Sequence, residues 1–130
     1  MGTQAPLIVV VEDDASMGQA LRRLLTAAGL RARVYPSVEA LTEVGDAGTA
    51  DCLVLDLHLG GQGGAVWYAS LPSPRPPAVF ISARPEPTSR RAALQAGGRA
   101  FIAKPFDGAL LLDSVARAIG DGAVGHLVTA

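Results

Sequence analysis

Leu53-Val54-Leu55-Asp56-Leu57-His58-Leu59, followed at once by Gly60-Gly61-Gln62-Gly63-Gly64, is the stretch whose reading decides the fold. An apolar run without alternation predicts a strand buried on both faces, as in a parallel sheet covered by helices. The run carries a single carboxylate and breaks into glycines. An acid at the carboxyl end of a central parallel strand faces the crevice where open α/β sheets bind ligands, so Asp56 is the first candidate for chemistry.

Working outward, Leu7-Ile8-Val9-Val10-Val11 is a β-branched run of the same buried kind, closed by Glu12-Asp13-Asp14. Asp14 or Ser16 can cap a helix whose apolar residues Met17, Ala20, Leu21, Leu24 and Leu25 recur at helical spacing, with Gly29 as its stop. Arg31 to Tyr35 alternates as a more exposed strand would, and Ser37 opens a second helix with Val38, Leu41 and Val44 as its stripe. Gly45 to Gly48 reads as a loop before the central strand, which Cys52 precedes.

Beyond the glycines, Ala65 to Leu71 is a short helix carrying Trp67 and Tyr68 as packing residues, stopped by Pro72, Pro74, Pro76 and Pro77. Ala78 to Ile81 is a buried strand ending in Ser82. Pro85 and Pro87 frame a loop, Thr88 to Ala96 is helical, and Gly97-Gly98 ends it. Ala100 to Ala103 is the last strand, ending in Lys104-Pro105, and Asp107 caps a helix reaching about Ile119. Five strand-then-helix units predict a flavodoxin-like α/β fold: a five-stranded parallel sheet in order 2-1-3-4-5, helices on both faces, joined by right-handed crossovers.

A length of 130 residues suits one well-buried domain. The net charge of -1, with no basic run, argues against nucleic acid or an anionic membrane as partner. Cys52 is the only cysteine, which excludes a disulfide framework and a thiolate metal site. The apolar run from Leu7 to Val11 is too short for a signal peptide or a membrane span, and Pro6 spoils the myristoylation pattern suggested by Met1-Gly2. A cytoplasmic location is the expectation. His126 has no second ligand at metal spacing and reads as solvated.

In the predicted sheet, the carboxyl ends of strands one, three, four and five bring Glu12 and Asp13, Asp56, Ser82 and Lys104 to one edge. Clustered carboxylates in a cleft need a cation among them or a retained proton. Oxygen ligands with open positions suit Mg²⁺. A lysine and a hydroxyl beside a carboxylate can hold phosphoryl oxygens, and phosphoryl transfer asks chiefly for positioning and charge neutralisation. The set predicts Asp56 as a phosphoryl acceptor. Each member has a plainer reading alone: Asp56 as a helix cap, Glu12 and Asp13 as charges favouring a helix start, Ser82 as a turn residue, Lys104 as a surface lysine.

With these residues in view, the chain resembles the receiver domain of two-component response regulators over roughly residues 7 to 119. It is similar to FixJ-type receivers in Tyr35-Pro36-Ser37-Val38-Glu39-Ala40 and Phe101-Ile102-Ala103-Lys104-Pro105-Phe106. The resemblance implies a receiver domain over residues 1–120, with 121–130 a tail or the start of a linker. It implies that a histidine kinase or phosphotransfer protein phosphorylates Asp56. Asp13 and Asp56 would ligate Mg²⁺, Glu12 would hold a coordinating water, and the His58 backbone carbonyl would add a ligand. Ser82 and Lys104 would hold the phosphoryl oxygens. Ser82 and Phe101 would act as switch residues, and the Lys104-Pro105 bond would be cis. His58 and Arg84 would flank the phosphoryl group and set its lifetime.

Such a domain is not an enzyme beyond its own phosphotransfer and dephosphorylation. Its expected output is a remodelled helix-4/strand-5 face, offered to an output protein or to a second copy in a homodimer. Leu59-Gly60 stands where receivers usually have Met-Pro, so the loop from Gly60 to Gly64 is expected to be more mobile before metal binds.

Three other functions compete. An aspartyl-phosphate phosphohydrolase would want an aspartate where His58 stands. A phosphorylation-independent interaction module would leave Asp56 unmodified. Nucleotide or flavin binding is disfavoured, because the glycine cluster lacks the third glycine of a dinucleotide loop and Glu12-Asp13-Asp14 would repel a phosphate.

Overall fold

The computed structural model describes residues 4–59, 63–84 and 86–124. Residues 1–3, Gly60 to Gln62 of the expected mobile loop, Pro85 and residues 125–130, His126 among them, lie outside the described residues.

The elements run β1 (Leu7–Val11), α1 (Ala15–Ala27), β2 (Arg31–Tyr35), α2 (Val38–Val44), β3 (Cys52–Asp56), α3 (Gly64–Ser70), β4 (Ala78–Ser82), α4 (Pro87–Gln95), β5 (Ala100–Ala103) and α5 (Gly108–Val124). The strands form one parallel sheet in the order β2-β1-β3-β4-β5, as the alternating pattern predicts. β1, β3 and β4 are buried at every position, whereas β2, at an edge, is only partly covered.

Because side chains along a strand alternate between faces, each buried strand feeds two cores. Val9, Val11, Leu53, Leu55 and Phe80 pack with Val38, Leu41, Trp67, Tyr68 and Ala93 beneath α2, α3 and α4. Ile8, Val10, Val54, Val79 and Ile81 pack with Leu21, Leu25, Leu111 and Val115 beneath α1 and α5. Double coverage accounts for the unbroken apolar runs.

Several boundaries differ from the sequence reading. β3 begins at Cys52 itself and ends at Asp56, and Leu57-His58 form a turn, although Leu57 and Leu59 stay in the core. A run of leucines cannot by itself distinguish a strand from the buried turn after it. Residues Ala47–Thr49 form a 3₁₀ turn within the expected loop. Pro87 opens α4 instead of framing a loop, its fixed φ and missing N–H suiting a first helical position. α5 continues through Val124, past the expected end near Ile119. Asp14 is the residue that caps α1, accepting from the N–H groups of Ser16 and Met17.

Candidate functional site

The site lies at the carboxyl edge of the sheet, where the loops after β1, β3 and β5 meet. Glu12, just past β1, is buried, and Asp13 beside it is exposed. Asp56 ends β3 and is 5 % exposed. α3 can start directly against it because Gly64 lacks a side chain: a Cβ there would sit 2.5 Å from the Asp56 carbonyl oxygen. Lys104 follows β5, and its backbone N–H donates to the Ser82 carbonyl at 2.7 Å, which ties the ends of β4 and β5 together.

Lys104 joins the two buried acids. Its Nζ donates to Glu12 Oε1 at 2.6 Å and to Asp56 Oδ2 at 2.9 Å. The other oxygens are also engaged. Glu12 Oε2 accepts the Asp14 N–H at 3.0 Å, and Asp56 Oδ1 accepts the His58 N–H at 2.9 Å. Burial holds the Glu12 carboxyl above its ordinary range, against the opposing pull of its bonds from Lys104 and the Asp14 N–H. Burial works against the Lys104 charge, but the bonds to Glu12 and Asp56 outweigh it and raise the ammonium pKa.

Glu12, Asp13 and Asp56 each present an oxygen within 4.8 Å of the other two. Three carboxylates against one ammonium leave a negative pocket lined with hard oxygen donors. That donor set fits a small divalent cation.

The structure therefore brings Glu12, Asp13, Asp56 and Lys104 into one cluster. Ser82, buried at the end of β4, is at the same edge, but its hydroxyl donates to the Arg84 carbonyl at 3.0 Å and accepts the Arg84 N–H at 2.9 Å. It closes a local turn. Phe101 is half-buried, with the Arg90 guanidinium 5.0 Å from its ring centre. The Lys104-Pro105 bond is cis, as is Ser73-Pro74, which the sequence reading did not anticipate. His58 and Arg84 are exposed.

Two polar arrangements escaped the sequence reading. The His58 ring reaches Ser89 in α4, with Nε2 3.1 Å from the serine Oγ. Away from the site, Arg75 donates to the Tyr68 carbonyl at 2.6 Å and to the Ala96 carbonyl at 2.9 Å while lying over the Tyr68 ring. Nothing in the local pattern around Ser89 or Arg75 signals partners so distant in sequence.

Comparison with known proteins agrees with this architecture. The family profile described as the response regulator receiver domain matches residues 8–116. Nodulation protein W of Bradyrhizobium diazoefficiens is 31 % identical over 114 residues, covering 86 % of this chain and 50 % of that protein. The chain thus spans about half the length of this relative. A solved response regulator receiver protein from Burkholderia phymatum is 37 % identical, with a TM-score of 0.79 over 88 % of this chain and 95 % of that one. The structure of FixJ-N shares the fold, with a TM-score of 0.80 at 24 % identity, covering 98 % of this chain and all of that one. By its profile match across most of its length, and by a sheet order and edge cluster of the expected kind, this chain belongs to the response regulator receiver domains.

Proposed function

We propose that the chain accepts a phosphoryl group on Asp56 in a Mg²⁺-dependent reaction. The observation that carries this reading is the Lys104 ammonium bonded at once to Glu12 and Asp56, beside the three-carboxylate cluster. An oxygen of Asp56 attacks the donor phosphorus. The new P–O bond forms as the donor's bond to phosphorus breaks, and its electron pair leaves with the donor, a phosphohistidine of a kinase or phosphotransfer protein. Asp13, Asp56 and the His58 carbonyl would hold Mg²⁺, with Glu12 on a coordinating water. When bound, the ion neutralises charge gathering on the phosphoryl oxygens.

The chain's own groups do the rest. Lys104 already lies against Asp56 and can follow the added negative charge. The Ser82 hydroxyl has to leave the Arg84 carbonyl before it can donate to a phosphoryl oxygen. That exchange pulls on the loop between β4 and α4. Phe101 follows by turning inward, and the α4/β5 face changes for an output protein or a second copy of the chain. Added phosphate biases a two-state equilibrium by binding one state better. Among the described residues, no helix is long and apolar enough to cross a membrane. We place the domain in the cytoplasm and extend it to the end of α5 at Val124, beyond the expected boundary at 120, with the residues that follow leading into a tail or linker.

Incubation with acetyl phosphate and Mg²⁺ tests the proposal by mass spectrometry. A gain of one phosphoryl group in the wild type, absent in Asp56→Asn, is expected. No gain in the wild type would overturn it in favour of a phosphorylation-independent module, and sustained turnover of p-nitrophenyl phosphate would favour a phosphohydrolase.

A further inference from the structure

The His58 side chain is exposed, two residues past Asp56, yet it is held. Its Nε2 lies 3.1 Å from Ser89 Oγ, and that oxygen lies 3.2 Å from Glu86 Oε2. The order of protons along this chain follows from its end. Ser89 donates its single hydroxyl proton to Glu86 Oε2. Ser89 Oγ is then the acceptor toward histidine, and Nε2 must carry a proton.

Ser89 is 5 % exposed in the first turn of α4, so its hydroxyl is held in place by packing. It borders a cavity of about 230 Å³ between the β3–α3 loop and α4, shared with Leu57, His58, Gly63, Val66 and Thr88. The backbone of His58 is meanwhile bonded to the acceptor itself, through its N–H to Asp56 Oδ1 at 2.9 Å. Residue 58 is therefore fixed at both ends, by Asp56 at the main chain and by α4 at the ring. An exposed histidine here has two free torsions, and the bond to Ser89 removes that freedom.

We propose that Ser89, backed by Glu86, is a positioning residue that pins the His58 ring beside the acceptor pocket and so slows loss of an Asp56 phosphoryl group to water. The inference rests on the phosphoacceptor reading of Asp56. In the hydrolytic step a water oxygen bonds to phosphorus while the phosphorus–oxygen bond to Asp56 breaks. The carboxylate leaves with the electron pair, and the water proton passes to solvent. A pinned ring excludes water from its side of the pocket continuously, and a free one does so only part of the time.

The test is phosphoryl retention. The full chain is loaded with acetyl phosphate and Mg²⁺, freed of excess donor, and followed by mass. Ser89→Ala is expected to shorten the half-life roughly fivefold, the scale of one hydrogen bond. His58→Ala should shorten it similarly, and the double variant no further. Ser89→Thr, which keeps the hydroxyl, should restore the long half-life. Glu86→Ala, at an exposed position, should shorten it in the same direction.

Nitrogen NMR of the unphosphorylated protein supplies an independent readout: a protonated, slowly exchanging His58 Nε2 in the wild type that is lost in Ser89→Ala. Equal half-lives in wild type and Ser89→Ala, or multiplying effects in the double variant, would overturn the role of Ser89 while leaving the phosphoacceptor intact. No phosphoryl uptake by the wild type would overturn both.

Discussion

Lys104 bonds the Glu12 carboxylate at 2.6 Å and the Asp56 carboxylate at 2.9 Å, so one ammonium is shared between two acids that are both nearly inaccessible to water. Removing one partner from such a group is costlier than its net worth, because it strands the others.

Lys104→Met should therefore lower stability at neutral pH by about 2 kcal/mol, a figure reduced for the lysine's partial contact with solvent. The loss should shrink on acidification. An acid whose folded pKa lies above its unfolded value binds protons more tightly when folded, so stability falls as pH rises from the ordinary 4.5 through the raised value of Glu12. Without the ammonium, Glu12 rises further and that slope steepens. Urea denaturation in acid and at neutral pH measures it; equal losses at both would contradict the assignment.

Gly64→Ala would place a methyl 2.5 Å from the Asp56 carbonyl oxygen, a backbone atom with no room to retreat. A cost of about 1–3 kcal/mol is expected. Since α3 must back away from β3, phosphoryl uptake from acetyl phosphate should slow as well. A stability change without a change in uptake would separate the two.

Asp46 accepts hydrogen bonds from the Tyr35 hydroxyl and from Arg33, the latter at 2.7 Å. These hold its carboxyl below the ordinary 3.8, the tyrosine bond foremost. A carboxyl lowered on folding stabilises the protein above its unfolded pKa, and the benefit is lost as pH falls through the folded value. Asp46→Asn should thus remove part of the acid-induced loss of stability below pH 3.8, seen as a shallower acid limb in thermal melts.

Cys52 is fully buried at the start of β3, and burial pushes its thiol up to about 12. A thiol-specific reagent at mildly alkaline pH should label it only as fast as the sheet opens, and at once in denaturant. Immediate labelling of the native protein would show that β3 is less enclosed than described.

Arg75 bonds carbonyls at the ends of α3 and α4 and stacks on Tyr68. Arg75→Ala should cost about 2 kcal/mol in urea unfolding. Arg75→Lys should recover under half of that, since a point charge cannot span two carbonyls.

The sheet was legible because burial on both faces leaves β1, β3 and β4 without a polar residue until the edge, and what stands at that edge is then conspicuous. Glu12, Asp13, Asp56 and Lys104 could be grouped from their strand ends alone. Ser82 could be placed but its hydroxyl could not, since a serine two residues before a backbone N–H is free to close a turn on itself, as it does with Arg84. The Ser89–His58 bond spans 31 residues and the Arg75–Ala96 bond 21, and neither leaves a periodic trace. The extension of α5 past Gly120 was hidden by glycines at 120 and 122, which weaken a helical pattern without forbidding the helix.

The two ends of α4 are fastened differently: a guanidinium bonded to the Ala96 carbonyl, a single imidazole N–H on the Ser89 hydroxyl. A rod gripped firmly at one end and lightly at the other pivots about the firm grip. Any swing of α4 on phosphorylation should then be widest at Pro87 and fade toward Gln95, with the fulcrum at the Arg75 clamp. Amide exchange that quickens evenly along the helix would show a sliding motion instead.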